Sequence, residues 1–260
     1  MDDPKTPFSL VDCHAHMSDD AFDEDLEDVL NRAAAQDVRA VLSVSETIDD
    51  AQRTLALADR YPLLKPCAGL YPTYLDRQAA AETLAFIREH HGRLVAIGEV
   101  GLDYWMVKEA VDREVQREIL GQHISLAKEL DLPLNVHSRS AGRHTIALLQ
   151  ERGAQSVLLH AFDGKTSAAM AGIEAGYYFS IPPSVLRSRQ KQKLVQELPL
   201  DRLLLESDAP VLGPTKDQRN EPANVRLTCV YIASIKNLPV EEVARVTTAN
   251  ARRLFPRAFM

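Results

Sequence analysis

Six side chains in this chain are donors suited to a divalent metal ion: His14, His16, Glu99, His137, His160 and Asp208. All six are oxygen or imidazole ligands, which suit a divalent metal. Each donor stands at or just past the end of a short apolar run. His14 and His16 close the run 10–13, Glu99 follows 94–98, His137 follows 134–136, His160 follows 157–159, and Asp208 follows 203–205. A strand period of two puts His14 and His16 on one face, where one ion can meet both rings. Asp12 falls on the same face and is expected to orient one imidazole; Cys13 is expected to face away. Glu99 has two oxygens and can bridge two ions, which a single imidazole nitrogen cannot. Asp208 can ligate, orient an attacking water and accept its proton. The other histidines, His90, His91, His123 and His144, lie within or at the ends of helical patterns and read as solvent or packing residues.

The elements that must position these donors alternate along the whole chain. Strand-like runs at 10–13, 40–44, 63–68, 94–98, 134–136, 157–159, 177–181 and 203–205 are separated by amphipathic helical stripes. Those stripes fall at 25–37, 49–60, 78–90, 112–130, 142–152, 166–175 and 190–198, and two more, 224–236 and 240–254, close the chain. Parallel neighbours need crossover connections, so the pattern predicts a parallel sheet. Units of this number and size favour an α/β fold of the TIM-type (β/α)8 barrel class, a single domain over residues 1–260 with one extra C-terminal helix. An open doubly wound sheet is the competing architecture. It lacks its usual markers here: no Gly-x-Gly-x-x-Gly follows the first strand and no Walker loop is present. Barrel enzymes carry their chemistry at the carboxyl ends of the strands, where all six donors fall.

Composition narrows the setting. At 260 residues the chain is close to the roughly 250 of such a barrel. No apolar run is long enough to span a membrane, and the acidic opening Met1-Asp2-Asp3-Pro4-Lys5 lacks the apolar stretch of a secretory signal. Three scattered cysteines, Cys13, Cys67 and Cys229, fit reduced thiols in a cytoplasmic or nuclear setting. A formal net charge of −7 argues against bulk attraction to nucleic acid. Bound dications and a few local arginines can still make one cleft positive. A monomer is the simple expectation.

The combination of segments resembles the TatD-type metal-dependent deoxyribonucleases, a branch of the amidohydrolase-like metallohydrolases. The segments are Val11-Asp12-Cys13-His14-Ala15-His16, Ile97-Gly98-Glu99-Val100-Gly101-Leu102-Asp103-Tyr104, Pro133-Leu134-Asn135-Val136-His137-Ser138-Arg139, His160-Ala161-Phe162-Asp163-Gly164 and Leu205-Glu206-Ser207-Asp208-Ala209-Pro210. Residues 135–143 and 179–184 look closest to the third animal TatD-domain group. The resemblance implies two divalent ions (zinc, magnesium or manganese) on the six donors, with Glu99 bridging. It also implies hydrolysis of DNA or another phosphoester substrate, often as a 3′–5′ exonuclease. Two positions depart from the family pattern. Gly69-Leu70-Tyr71-Pro72 carries tyrosine where Gly-x-His-Pro is usual, so Tyr71 meets the substrate as an uncharged donor. Ser207 replaces a common threonine.

Arg139, just past a ligand, is placed to hold a phosphate oxygen, and Asp103 to orient a ligand or a substrate group. Arg187, Arg189, Lys191 and Lys193 form a basic stretch that reads as a solvated helix face or, less simply, as a track for a nucleic-acid backbone. Two rival functions stand beside the nuclease: an amidohydrolase acting on a cyclic amide, lactone or nucleobase, and a metal-binding barrel without turnover. Many binuclear amidohydrolases use a carbamylated lysine on strand four; Glu99 in that place favours the nuclease-like branch.

Overall fold

The apolar runs become eight parallel strands paired in chain order in the computed structural model, which describes residues 9–260. They are β1 (Leu10–Ala15), β2 (Val38–Ser43), β3 (Leu64–Ala68), β4 (Ala96–Gly101), β5 (Leu134–His137), β6 (Val157–Leu159), β7 (Tyr178–Ile181) and β8 (Leu203–Leu205). The sheet closes at its carboxyl rim. There the Asp208 N–H donates to the His14 carbonyl at 2.9 Å and the His16 N–H to the Ala209 carbonyl at 2.8 Å. The opening residues expected to lack a secretory signal lie outside the described residues.

Helices cross back between strands: α1 (Leu26–Ala35), α2 (Ile48–Arg60), α3 (Arg77–His90), α4 (Ala110–Leu130), α5 (Gly142–Glu151), α6 (Thr166–Glu174), α7 (Arg189–Glu197) and α8 (Val225–Lys236). The extra helix, α9 (Val240–Leu254), packs against β1 and β8. Local chemistry starts several of them. The Thr47 hydroxyl accepts from the Asp50 N–H at α2, the Asp76 carboxylate from Gln78 and Ala79 at α3, and the Ser188 hydroxyl from Lys191 at α7, each satisfying orphan first-turn amides. No helix among the described residues is long and apolar enough to cross a membrane.

Two apolar layers hold the barrel. The outer layer joins strand residues such as Val41, Ile97, Val136, Leu159 and Leu205 to the helices. The inner layer gathers Val11, Cys13, Ala40, Leu42, Cys67, Ala96, Leu158, Tyr178 and Leu204, one or two from each of seven strands, with Ala251, Leu254 and Phe255 of the chain's end. The three cysteines are free and buried.

One expectation about β1 fails. Simple alternation put Asp12 beside His14 and turned Cys13 outward, but Cys13 belongs to the inner layer. Asp12 pairs with Val41, whose side chain packs outward. The register shifts between Leu10 and Val11 and again between Asp12 and Ala15. Such irregularities insert a residue and change which face follows. Asp12 therefore touches no imidazole ring; its carboxylate accepts from the Ser207 N–H at 2.8 Å, the Ser207 hydroxyl at 2.5 Å and the His14 N–H at 3.3 Å, across the β1–β8 seam.

Candidate active site

The strand ends deliver the donors to one place. His14 lies in β1 and His16 just beyond it; His137 is the last residue of β5; His160 follows β6 directly; Asp208 lies in the turn after β8. Glu99 was expected past its strand, but β4 continues to Gly101 and holds Glu99 inside it. Close strand approach demands glycine here. A Cβ on Gly101 would sit 2.0 Å from the His137 carbonyl oxygen, and one on Gly98 would sit 2.7 Å from the Asn135 Cβ. Both glycines let β4 and β5 bring Glu99 against His137.

Four donor atoms face one another at the centre. His14 Nε2 and His16 Nε2 are 3.3 Å apart, and Glu99 Oε2 lies 3.7 and 3.4 Å from them. Asp208 Oδ1 is 3.6 Å from each. A tetrahedral ion at bond lengths of about 2.0–2.2 Å sets its ligand atoms about 3.3–3.6 Å from each other, so the spacing fits. The other Glu99 oxygen, Oε1, lies 2.6 Å from His137 Nδ1 and 2.8 Å from His160 Nε2. One carboxylate thus joins two donor groups. Glu99 Oε2 is buried without a hydrogen-bond partner, as expected of an atom meant for a cation. His14, Glu99 and His160 form one group able to hold an ion, and His14, His16 and Asp208 another.

The field around the donors favours positive charge. Burial works against protonating His16, yet the Asp208 carboxylate 3.6 Å away and the Glu99 charge push it up to about 10. His137 rises to about 9 against its own burial, driven by Glu99 and Asp103. Burial alone would raise Glu99, but its interactions with His160 and with the His137 charge hold it well below the usual carboxylate range. Among the four histidines only His160 goes down, to about 4, from burial and the neighbouring His14. In this field protons and a dication compete for the same lone pairs.

A further set of residues aims the donors. The Asn135 Oδ1 accepts from His14 Nδ1 at 2.9 Å, and its Nδ2 donates to the Cys13 carbonyl at 2.8 Å. Asp103, expected to serve a ligand or the substrate, is fully buried with Oδ2 3.1 Å from His137 Nε2. Glu206 is buried and accepts from the Ala161 N–H at 2.8 Å and the Ser180 hydroxyl at 2.6 Å. The Lys191 ammonium donates to the Ala161 carbonyl at 2.9 Å. Together they clamp the peptide beside His160, where Ala161 adopts a left-handed φ of 41°. Burial raises the Glu206 carboxyl and lowers the Lys191 ammonium. The basic stretch is therefore split: Lys191 points inward, while Arg187, Arg189 and Lys193 are exposed.

Sequence reasoning passed over Asn135, Glu206 and Glu46. A spacing of two from the assigned donors would have found the first two: Asn135 precedes His137 by two positions on β5, and Glu206 precedes Asp208 by two just past β8. Glu46, past β2, lies with Oε1 3.8 Å from His16 Nδ1 and groups with His16 and Glu99. Above the donors opens a cavity of about 720 Å³, lined in part by Glu46, Tyr71, Arg139, Ser188, Gln190 and Lys191. The Tyr71 ring meets His137 edge-on at 5.0 Å, and burial with the Glu99 and Asp103 charges keeps its hydroxyl protonated.

A sequence profile described as "TatD related DNase" matches residues 11–256. The chain belongs to the TatD-related DNase family. It is 49% identical to the human protein named deoxyribonuclease TATDN3, over 95% of each chain. It is 36% identical to the metal-dependent hydrolase YabD of Bacillus subtilis, over 95% of this chain and 98% of that one. Among solved structures, the TatD homologue YjjV of Escherichia coli superposes with a TM-score of 0.89 at 27% identity, covering 96% of this chain and 99% of that one. Family membership and the barrel agree with the expectations from sequence.

Proposed function

We propose that this chain hydrolyses phosphodiester bonds of nucleic acid with two divalent ions, zinc, magnesium or manganese, at the rim of its barrel. His14, His16, Glu99 and Asp208 hold one, and Glu99, His137 and His160 the other. The observation that carries the reading is Glu99, whose two oxygens face separate donor groups. Bound there, the ions supply Lewis-acid activation of water and of the phosphoryl oxygens.

The protein's own residues do the rest. Asp208 is held ionised by His16, 3.6 Å away, and the other histidines around it, despite its burial. It accepts the proton of the attacking water. Arg139, exposed at the cavity wall, pairs with a phosphate oxygen. Tyr71 donates a neutral hydrogen bond to another. A cavity of about 720 Å³ admits a nucleotide-sized group. The named activity of the human relative supports DNA as the polymer, and attack from the 3′ end as a monomer in the cytoplasm or nucleus completes the reading.

The test is Asp208→Ala. Its circular dichroism should match the parent while magnesium- or manganese-dependent cleavage of a labelled oligonucleotide is lost. Full cleavage by this variant would overturn the assignment of Asp208.

A further inference from the structure

The turn between β4 and α4 holds a tryptophan out in water. Trp105 is 55% exposed, and Met106 beside it 59%. The turn itself is not loose. Asp103 Oδ1 accepts from the Trp105 and Met106 N–H groups, each at 2.8 Å, and the Tyr104 N–H donates to the Arg139 carbonyl at 2.9 Å. The same Asp103 reaches His137 Nε2 with its other oxygen. One carboxylate thus ties the backbone of Trp105 to a donor of the catalytic centre. A fixed backbone presenting an exposed indole is a surface prepared for a ligand rather than a fold defect.

Two cations flank the ring. The Arg139 guanidinium lies 5.3 Å from its centroid and the Lys108 ammonium 5.1 Å. Arg139 also lines the cavity, so the indole stands one side chain away from the place where a phosphate would be cut. An aromatic face with cations on its flank is the chemistry that binds single-stranded nucleic acid: the ring stacks a base of any identity, and the cations meet the backbone.

Resting on the nuclease reading above, we infer that Trp105 is the stacking platform for a nucleobase next to the scissile phosphate. It selects unpaired polynucleotide over small phosphodiesters, because only an unpaired base exposes a free face to it. Arg139 serves both sides, steadying the indole and reaching the phosphate.

The chain contains a single tryptophan, so its emission reports on this residue alone. The experiment titrates full-length Asp208→Asn protein, with magnesium present, with a fluorescein-free thymidine oligonucleotide, and follows binding in parallel by anisotropy of a labelled copy. Saturable quenching of the indole emission, tracking the binding curve, is expected. Binding with unchanged emission overturns the platform but leaves the nuclease reading standing; neither binding nor cleavage by the parent protein overturns both. Kinetics give a second readout. Trp105→Ala should raise KM for single-stranded DNA about 5- to 100-fold, more than it lowers kcat, with Trp105→Phe restoring most of the loss. On an oligonucleotide abasic at the stacked position the parent should lose a similar factor and Trp105→Ala little more. Equal losses from the substitution on both oligonucleotides would show a merely structural effect and overturn the assignment.

Discussion

Asn135 decides which nitrogen of His14 carries the proton. Its Nδ2 is committed to the Cys13 carbonyl, so Oδ1 must be the atom 2.9 Å from His14 Nδ1, and it can only accept. The His14 proton sits on Nδ1, and Nε2 turns a lone pair to the centre. Asn135→Leu removes this orientation while keeping the branched shape of the side chain. Divalent-ion affinity, measured by calorimetry, should fall about 10- to 100-fold with the fold retained. Unchanged affinity would show that packing alone holds the ring.

Asp12 and Ser207 staple the last strand to the first. Asp12→Ala leaves the Ser207 N–H and hydroxyl and the His14 N–H without their carboxylate. Urea unfolding should show a loss of about 3 kcal/mol, and Ser207→Ala, which removes one of the three bonds, about 1 kcal/mol. A loss from Asp12→Ala within experimental error would mean that the two rim bonds beside it suffice.

Removing the ions should destabilise the protein. Saturating a site at a hundred times its dissociation constant adds about 2.7 kcal/mol, so a chelator should lower the thermal midpoint of ion-loaded protein by several degrees. In Glu99→Gln the added ion should produce little shift, because both donor groups lose their shared carboxylate. An equal shift in parent and variant would place the ions elsewhere.

His123 supplies a pH dependence remote from the active centre. It is fully buried in α4, with Nδ1 2.9 Å from the Ile119 carbonyl and Nε2 unpartnered. Burial lowers it from 6.5 to about 4. The unfolded chain therefore takes up the proton first as pH falls. The contribution of His123 to stability is full above about pH 6.5, declines between there and about pH 4, and is flat below, a loss of about 3 kcal/mol. In His123→Phe the slope of unfolding free energy against pH across that window should be smaller than in the parent; parallel curves would remove His123 as the cause.

The barrel was legible because its signal is local and repeated. A run such as 134–136 followed by an amphipathic stripe specifies strand and crossover helix without reference to any distant residue. Donor chemistry was equally local, since His14, His137 or Asp208 announces its ligand type wherever it stands. Period two also contained Asn135 and Glu206. What the chain order could not hold was the face of each side chain once strands depart from regularity. The register shifts in β1 moved Asp12 to the seam and Cys13 into the interior. Lys191, one cation in a basic run, is buried with its ammonium on the Ala161 carbonyl of another loop. Residue types and periodicity belong to the sequence by itself. Convergence of six donors, the aim of each lone pair and the seam at Ser207 belong to the closed barrel, because they depend on contacts between segments that only strand pairing and closure bring together.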